Sequence, residues 1–148
     1  MKFKKIEIGR QGNFIAGVVL IYFLFFGYIA NEYKKNIGEE LLFLHQVLFN
    51  ARTFTSFIIL FLIVFMVAYR ESFFEYSIRN SIWLIPATII LSWFWYWILF
   101  GFDFIVFYIY FIRIEGYLTI LTLLCTNLFA AILASIIKQK RMILLKMK

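Results

Sequence analysis

The chain has 148 residues, of which 64% are hydrophobic and 16% are charged. A soluble globular domain has roughly 45–50% apolar and about 25% charged residues, and the long unbroken apolar blocks of this chain cannot be buried in one small water-soluble core. The net charge of +7 lies mainly at the two ends and in one short loop, not on a face with interleaved aromatic residues, so we expect no nucleic-acid partner. Composition therefore predicts an all-α, polytopic membrane protein.

The first apolar block runs from residue 14 to residue 30 (FIAGVVLIYFLFFGYIA) and follows a short basic segment at residues 1–13. A helix over this block would measure about 26 Å at about 1.5 Å per residue, slightly less than a hydrocarbon core of about 30 Å. The bulky Tyr28 stands where a signal-peptide cleavage site needs a small residue. We therefore interpret the block as an uncleaved first span.

The first predicted loop, residues 31–52, has an amphipathic second half. Between residues 41 and 55 the apolar residues on one helical face are Leu41, Leu44, Val47, Leu48 and Ala51. Such a helix lies on the membrane surface or continues directly into the second span, which we predict at 53–69. His45 is the only histidine; it has no metal-ligating partner at helical spacing and is predicted to lie at the polar edge of this helix.

The third span is predicted at residues 82–100, after a short loop of mixed charge at 70–81. The two acids of this loop, Glu71 and Glu75, are predicted to be exposed or paired within the loop. Pro86 is the only proline, and it falls near the predicted start of the span, where a missing backbone amide costs least.

Gly101 interrupts the apolar sequence, and a short apolar stretch follows at residues 104–112. This stretch is too short to cross a membrane as a helix, so it forms an interfacial hairpin, a re-entrant piece or an extension of the last helix. Asp103 lies in the break between aromatic residues. It is the candidate functional acid, because a carboxylate below the lipid headgroups is costly to ionise; the alternative is that it caps a helix or lies at the interface.

The last span is predicted at residues 117–137, followed by a basic tail at 138–148. One face of this span carries small and polar residues: Thr119, Thr122, Thr126, Asn127, Ala130 and Ala134. Such a face lets another helix approach closely and form hydrogen bonds across the contact, so it is the candidate helix-packing face. A polar lining for a solute path is the alternative. Cys125, the only cysteine, is predicted to be a buried structural thiol.

Basic residues predict the orientation of the chain. Most of the 15 Lys and Arg residues lie in the N-terminal segment, the middle loop and the C-terminal tail. With four spans these three segments share one side of the membrane, which the positive-inside rule assigns to the cytoplasm. The sequence therefore predicts a single domain with four transmembrane helices in the plasma (inner) membrane, with both termini cytoplasmic.

The sequence contains no catalytic, cofactor-binding or metal-binding motif, and its spans carry no ionisable pairs between their ends. This argues against a membrane enzyme or a proton-driven carrier. We expect a small accessory protein, surrounded by membrane lipids, that acts by helix–helix contact with another membrane protein or with a second copy. A subunit of a transport or envelope complex, or an immunity-type protein against a pore-forming toxin, fits this description. The alternative is an oligomeric carrier or flippase for a lipid-linked or small neutral solute.

Overall fold

The computed structural model describes residues 2–28 and 54–147, and nearly all of them are helical, with no strand in these two ranges. Helix α1 spans Lys2–Leu20 and continues into a π-helical segment at Ile21–Phe26. The other helices are α2 (Phe54–Arg70), α3 (Phe74–Phe100), the short α4 (Ile105–Ile112) and α5 (Ile114–Lys146). The all-α prediction is confirmed. The predicted amphipathic helix, which includes His45, lies almost entirely outside the described residues.

Two of the helices, α3 and α5, are long and apolar enough to cross a membrane. Their 27 and 33 residues measure about 40 and about 50 Å at about 1.5 Å per residue. The apolar helical segments Gln11–Phe26 and Thr55–Arg70, in α1 and α2, are shorter. Large apolar side chains are exposed along all four helices, and examples are Ile15, Leu62, Ile98 and Leu121. An apolar outer surface of this extent marks contact with lipid or with another protein.

Hydrogen bonds at both ends define the relative directions of the helices. At one end, which we call the Glu71 end, Asn13 of α1 and Lys138 of α5 both contact Glu71, just after α2. At the other end the hydroxyl oxygens of Tyr28 and Thr55 are 3.1 Å apart. Helices α1 and α2 are therefore antiparallel, a short turn makes α2 and α3 antiparallel, and α5 runs parallel to α2. Helix α5 packs most extensively against α2 and α3.

The core lies where these helices meet. Its largest fully buried side chains are Ile21, Phe25, Phe26, Leu60, Leu84, Tyr110 and Leu123. Gly17 is a point of close approach, because a Cβ atom at this position would lie only 2.9 Å from Cγ2 of Val67. The absence of a side chain at Gly17 thus allows α1 to lie directly against α2.

The start of α3 differs from the sequence prediction. Helix α2 ends at Arg70 and α3 begins at Phe74, so only residues 71–73 of the predicted loop 70–81 lie outside a helix. Three polar residues of this predicted loop are buried within the fold: Ser77, Asn80 and Ser81. Their tertiary contacts favour helix where local polarity had indicated an exposed loop.

This earlier start also places Pro86 in the interior of α3 rather than near its beginning. A proline inside a helix provides no amide for the carbonyl one turn earlier; the Pro86 ring lies on an exposed side of the helix. Helix α5 is likewise longer than the predicted span 117–137, since it continues through the basic tail to Lys146.

Helix α4 is a separate element. Arg113 has an extended backbone, with φ −82° and ψ 148°, and divides α4 from α5. The interpretation of residues 104–112 as an extension of the last helix is therefore wrong. Val106 and Tyr110 of α4 are buried in the core, and the rings of Tyr110 and Trp93 pack edge to face with their centroids 5.6 Å apart. These contacts hold α4 against α3 at the end opposite Glu71.

Candidate functional site

A buried carboxylate lies at the turn between α2 and α3. Glu71 is only 6% exposed. Its Oε1 atom accepts hydrogen bonds from the side-chain amides of Asn13 on α1, at 3.2 Å, and Asn80 on α3, at 2.8 Å. A buried carboxylate needs such donors to offset its lost hydration. The prediction that Glu71 is exposed is wrong. Its bond to Asn80 lies within the predicted loop 70–81, as the pairing alternative expected, and Asn13 adds a partner from α1.

The backbone around Glu71 is held by a cation from another helix. Lys138 of α5 donates from Nζ to the carbonyl oxygen of Tyr69, at 3.1 Å, and to that of Glu71. The last carbonyl groups of a helix have no partners within that helix, and a positive charge is favourable there. Ser77 adds a hydrogen bond from its hydroxyl to the carbonyl of Ala68, at 2.9 Å. The end of α2 is therefore completed by side chains of α3 and α5.

Buried polar side chains continue along α3 beyond this turn. We call the set formed by Ser77, Ser81, Thr88 and Ser92 the α3 polar seam; all four are buried. Within it, Ser81 donates to the carbonyl of Ser77 at 2.8 Å, and Thr88 donates to that of Leu84 at 2.7 Å. These bonds to the preceding turn satisfy the hydroxyl donors of Ser81 and Thr88 within α3, whereas the Ser77 hydroxyl donates to the Ala68 carbonyl of α2. The seam therefore provides small side chains for close packing more than it provides donors for a ligand.

The predicted helix-packing face of α5 is turned toward the other helices of the chain. Five of its members are buried and Thr122 is half-buried; the buried ones are Thr119, Thr126, Asn127, Ala130 and Ala134. Ala134 packs with Ala131 and with Ala68 of α2. The face is thus used in contacts within the chain, mainly with α2 and α3. Cys125 lies on the other side of α5 and is exposed, so the prediction of a buried thiol is wrong.

Asn127 connects the α5 face to the α3 polar seam. Its Nδ2 atom donates to the carbonyl oxygen of Ser81 at 3.0 Å. Its Oδ1 atom is buried and has no hydrogen-bond partner within the described part of the chain. An unpaired buried acceptor is costly, so this atom marks a place where a donor from a water molecule or a ligand would be stabilising.

Asp103 lies at the opposite end of the fold from Glu71. Its side chain is exposed, and Oδ1 accepts a hydrogen bond from the backbone amide of Ile105 at 3.1 Å. The Asp103 carbonyl accepts a second bond from the indole of Trp97 at 2.9 Å, and Gly101 turns the chain before it with a φ of 87°. This is the geometry of a helix-capping residue at the start of α4.

We therefore expect Asp103→Asn to preserve expression and thermal stability, with a change within about 0.5 kcal/mol, because Asn caps a helix about as well as Asp. Asp103→Leu, which removes the acceptor, should cost about 1 kcal/mol. Thermal unfolding of the purified protein in detergent checks both values. A fully folded Asp103→Asn protein that has lost its biological activity, with activity kept in Asp103→Glu, would instead make the carboxylate functional.

The central residues of the buried site, Glu71, Asn13, Asn80 and Lys138, are not prominent in the sequence. They come from three separate segments of the chain, because Glu71 and Asn80 are only nine residues apart, and the three segments meet only in the fold. Within the described ranges no group of three or more His, Cys, Asp and Glu side chains is placed to hold a metal ion. The site is a hydrogen-bonded network between helices at the basic end of the molecule.

Comparisons of the chain with protein-family models, with curated proteins and with solved structures give no match. The structure itself defines the class: a helical protein with two helices long and apolar enough to span a membrane, an apolar exterior, and buried polar side chains beside an apolar core.

Proposed function

We propose that the chain is a multi-pass protein of the plasma (inner) membrane that crosses the bilayer with α1, α2, α3 and α5. The helix directions support this proposal, since Asn13, Glu71 and Lys138 meet at one end. The same end carries the basic residues of the N-terminal segment and of the tail, which the positive-inside rule assigns to the cytoplasm. Helix α4 then lies near the outer interface, where aromatic side chains are favoured.

Cysteine labelling tests this topology. In a Cys125→Ser background we expect Arg113→Cys to react with a membrane-impermeant maleimide in intact cells. Ser72→Cys should react only after the cells are opened, because the proposal places it on the cytoplasmic side; both side chains are exposed in the fold. Labelling of both cysteines from the same side would contradict the proposed topology.

We infer that the protein acts by helix–helix contact with another membrane protein. The supporting observation is that the small-residue faces of the helices are buried within the chain, whereas large apolar side chains are exposed. Small polar and alanine faces are filled by helices of the same chain, whereas large apolar side chains point outward on α5, at Leu121, Phe129, Ile132 and Ile136. A surface of this kind offers van der Waals packing to a partner helix in lipid. A subunit of a transport or envelope complex, or an immunity-type protein against a pore-forming toxin, would use it.

Photo-crosslinking from three outward positions tests the proposed contact. A photoreactive phenylalanine analogue is placed singly at Leu62 on α2, Ile98 on α3 and Leu121 on α5, all of which are exposed. We expect the probe on one of these helices to give an adduct whose mass exceeds that of the chain by the mass of a different protein. The probes on the other two helices serve as controls and should give no such adduct. Adducts of twice the chain mass alone, or no protein adduct at any position, would contradict the accessory role.

An oligomeric carrier or flippase for a lipid-linked or small neutral solute is the second candidate function. The unpaired, buried Oδ1 atom of Asn127 favours it. Asn127→Leu separates the two proposals, since it removes this acceptor while filling a similar volume. The accessory role predicts that the crosslinked adduct persists in this variant. The carrier predicts that solute transport is lost while the protein remains folded.

A further inference from the structure

A groove with both cationic and apolar walls lies at the Glu71 end. It has a volume of about 470 Å³ and runs between the α2–α3 turn and the last turns of α5. The side chains of Lys138 and Lys146 line it, together with the apolar side chains of Phe73, Phe74, Met142 and Ile143. The four apolar side chains are between 51% and 58% exposed. A large exposed apolar area therefore lies directly beside two lysine side chains.

The polar wall carries a net positive charge. Glu71 also lines the groove, but its Oε1 atom is already held by the amides of Asn13 and Asn80. Lys138 lines the groove and donates two of its three N–H groups to backbone carbonyls, which leaves one N–H group for a further acceptor. Lys146 is exposed at the end of α5. Two cations against one carboxylate favour an anionic group in the groove.

We propose that this groove binds an anionic phospholipid of the cytoplasmic leaflet, a proposal that rests on the membrane location proposed above. The phosphate would lie between the ammonium groups of Lys138 and Lys146, and an acyl chain would cover the apolar wall. The apolar wall favours a lipid over a free phosphate, because a small anion would leave Phe73, Phe74 and their neighbours in water. The groove volume is in the range of ordinary small-ligand sites.

Lipid titration of the full chain in detergent, followed by native mass spectrometry, tests the site. The two probes are dioleoylphosphatidylglycerol, which is anionic, and dioleoylphosphatidylcholine, which has no net charge. We expect tighter binding of the anionic lipid. Lys146→Gln should weaken that binding about fivefold, the effect of about one basic residue near an anionic lipid, and should leave the other lipid unchanged. Lys146 is preferred to Lys138 for this test because Lys138 also completes the end of α2.

Lys140→Gln is the matched control. Lys140 is an exposed lysine of the same helix, so we expect this change to weaken binding less than twofold. Equal weakening by Lys140→Gln and Lys146→Gln would overturn the proposal, since it would show general charge attraction instead of a site. Equal binding of the two lipids would overturn it as well.

Two further measurements identify the source of the phosphate and separate this proposal from the membrane location. Glycerol 3-phosphate should fail to displace the anionic lipid at a hundredfold excess, and displacement would indicate a site for a small phosphate instead. Carbonate extraction of cell membranes tests the location alone. A protein that stays in the extracted membranes but shows no lipid preference lacks the groove site, whereas a protein released by carbonate contradicts the membrane location itself.

Discussion

Glu71→Ala should lower the free energy of unfolding by about 2–4 kcal/mol, the range expected when a buried hydrogen-bond network loses its central acceptor. The change leaves the amides of Asn13 and Asn80 without the oxygen that they share. Reversible unfolding in mixed detergent, followed by tryptophan fluorescence, measures the difference. Glu75→Ala is the matched control, since Glu75 is an exposed acid in the first turn of α3. We expect it to change the stability by less than about 0.5 kcal/mol.

Glu71→Gln separates hydrogen bonding from charge. The glutamine carbonyl can still accept from both asparagine amides, so we expect this variant to retain most of the stability lost in Glu71→Ala. If Glu71→Gln is as unstable as Glu71→Ala, the negative charge itself holds the network together. If Glu71→Ala is no less stable than Glu75→Ala, the carboxylate does not organise the turn.

Ala130→Leu should destabilise the fold by about 1–3 kcal/mol, because added side-chain volume in a filled interior forces neighbouring groups apart. Ala130 is fully buried, with 0% of its surface exposed. Cys125→Leu adds bulk to the same helix on its exposed side, and we expect no loss of stability there. The same unfolding assay compares the two proteins. Equal tolerance of both changes would mean that the small-residue face of α5 does not pack against a helix.

The inward face of α5 could be predicted from the sequence because its pattern lies within one helix. Small and polar residues recur at helical spacing along one helix, and that pattern requires no knowledge of the partner. The same spacing places Cys125 away from this face, yet an apolar block alone suggested that the thiol would be buried. When the outer side of a helix is apolar, a residue with apolar neighbours in the sequence is not necessarily buried within the protein. The outer side of such a helix faces lipid or a partner.

The Glu71 network was not accessible in this way. Asn13 and Glu71 are 58 residues apart, and Glu71 and Lys138 are 67 apart. Charged and polar residues after α2 indicate an exposed loop if the surroundings of the protein are assumed to be water. When the exterior of the molecule is apolar, the favourable place for the same residues is the interior, where their hydrogen bonds are satisfied. An exposed polar loop and a buried polar segment have the same sequence pattern, and only the contacts between helices distinguish the two.

The position of Lys138 has a consequence for the order of synthesis. The carbonyl groups of Tyr69 and Glu71 receive their hydrogen bonds from a lysine far downstream on α5. A ribosome completes α2 and α3 well before it reaches this lysine, at roughly 5–20 residues per second. During that interval these carbonyls lack their hydrogen bonds from Lys138, and the hairpin of α2 and α3 has no partner on its α5 side. The turn of this hairpin therefore gains its full set of hydrogen bonds only after translation has passed Lys138.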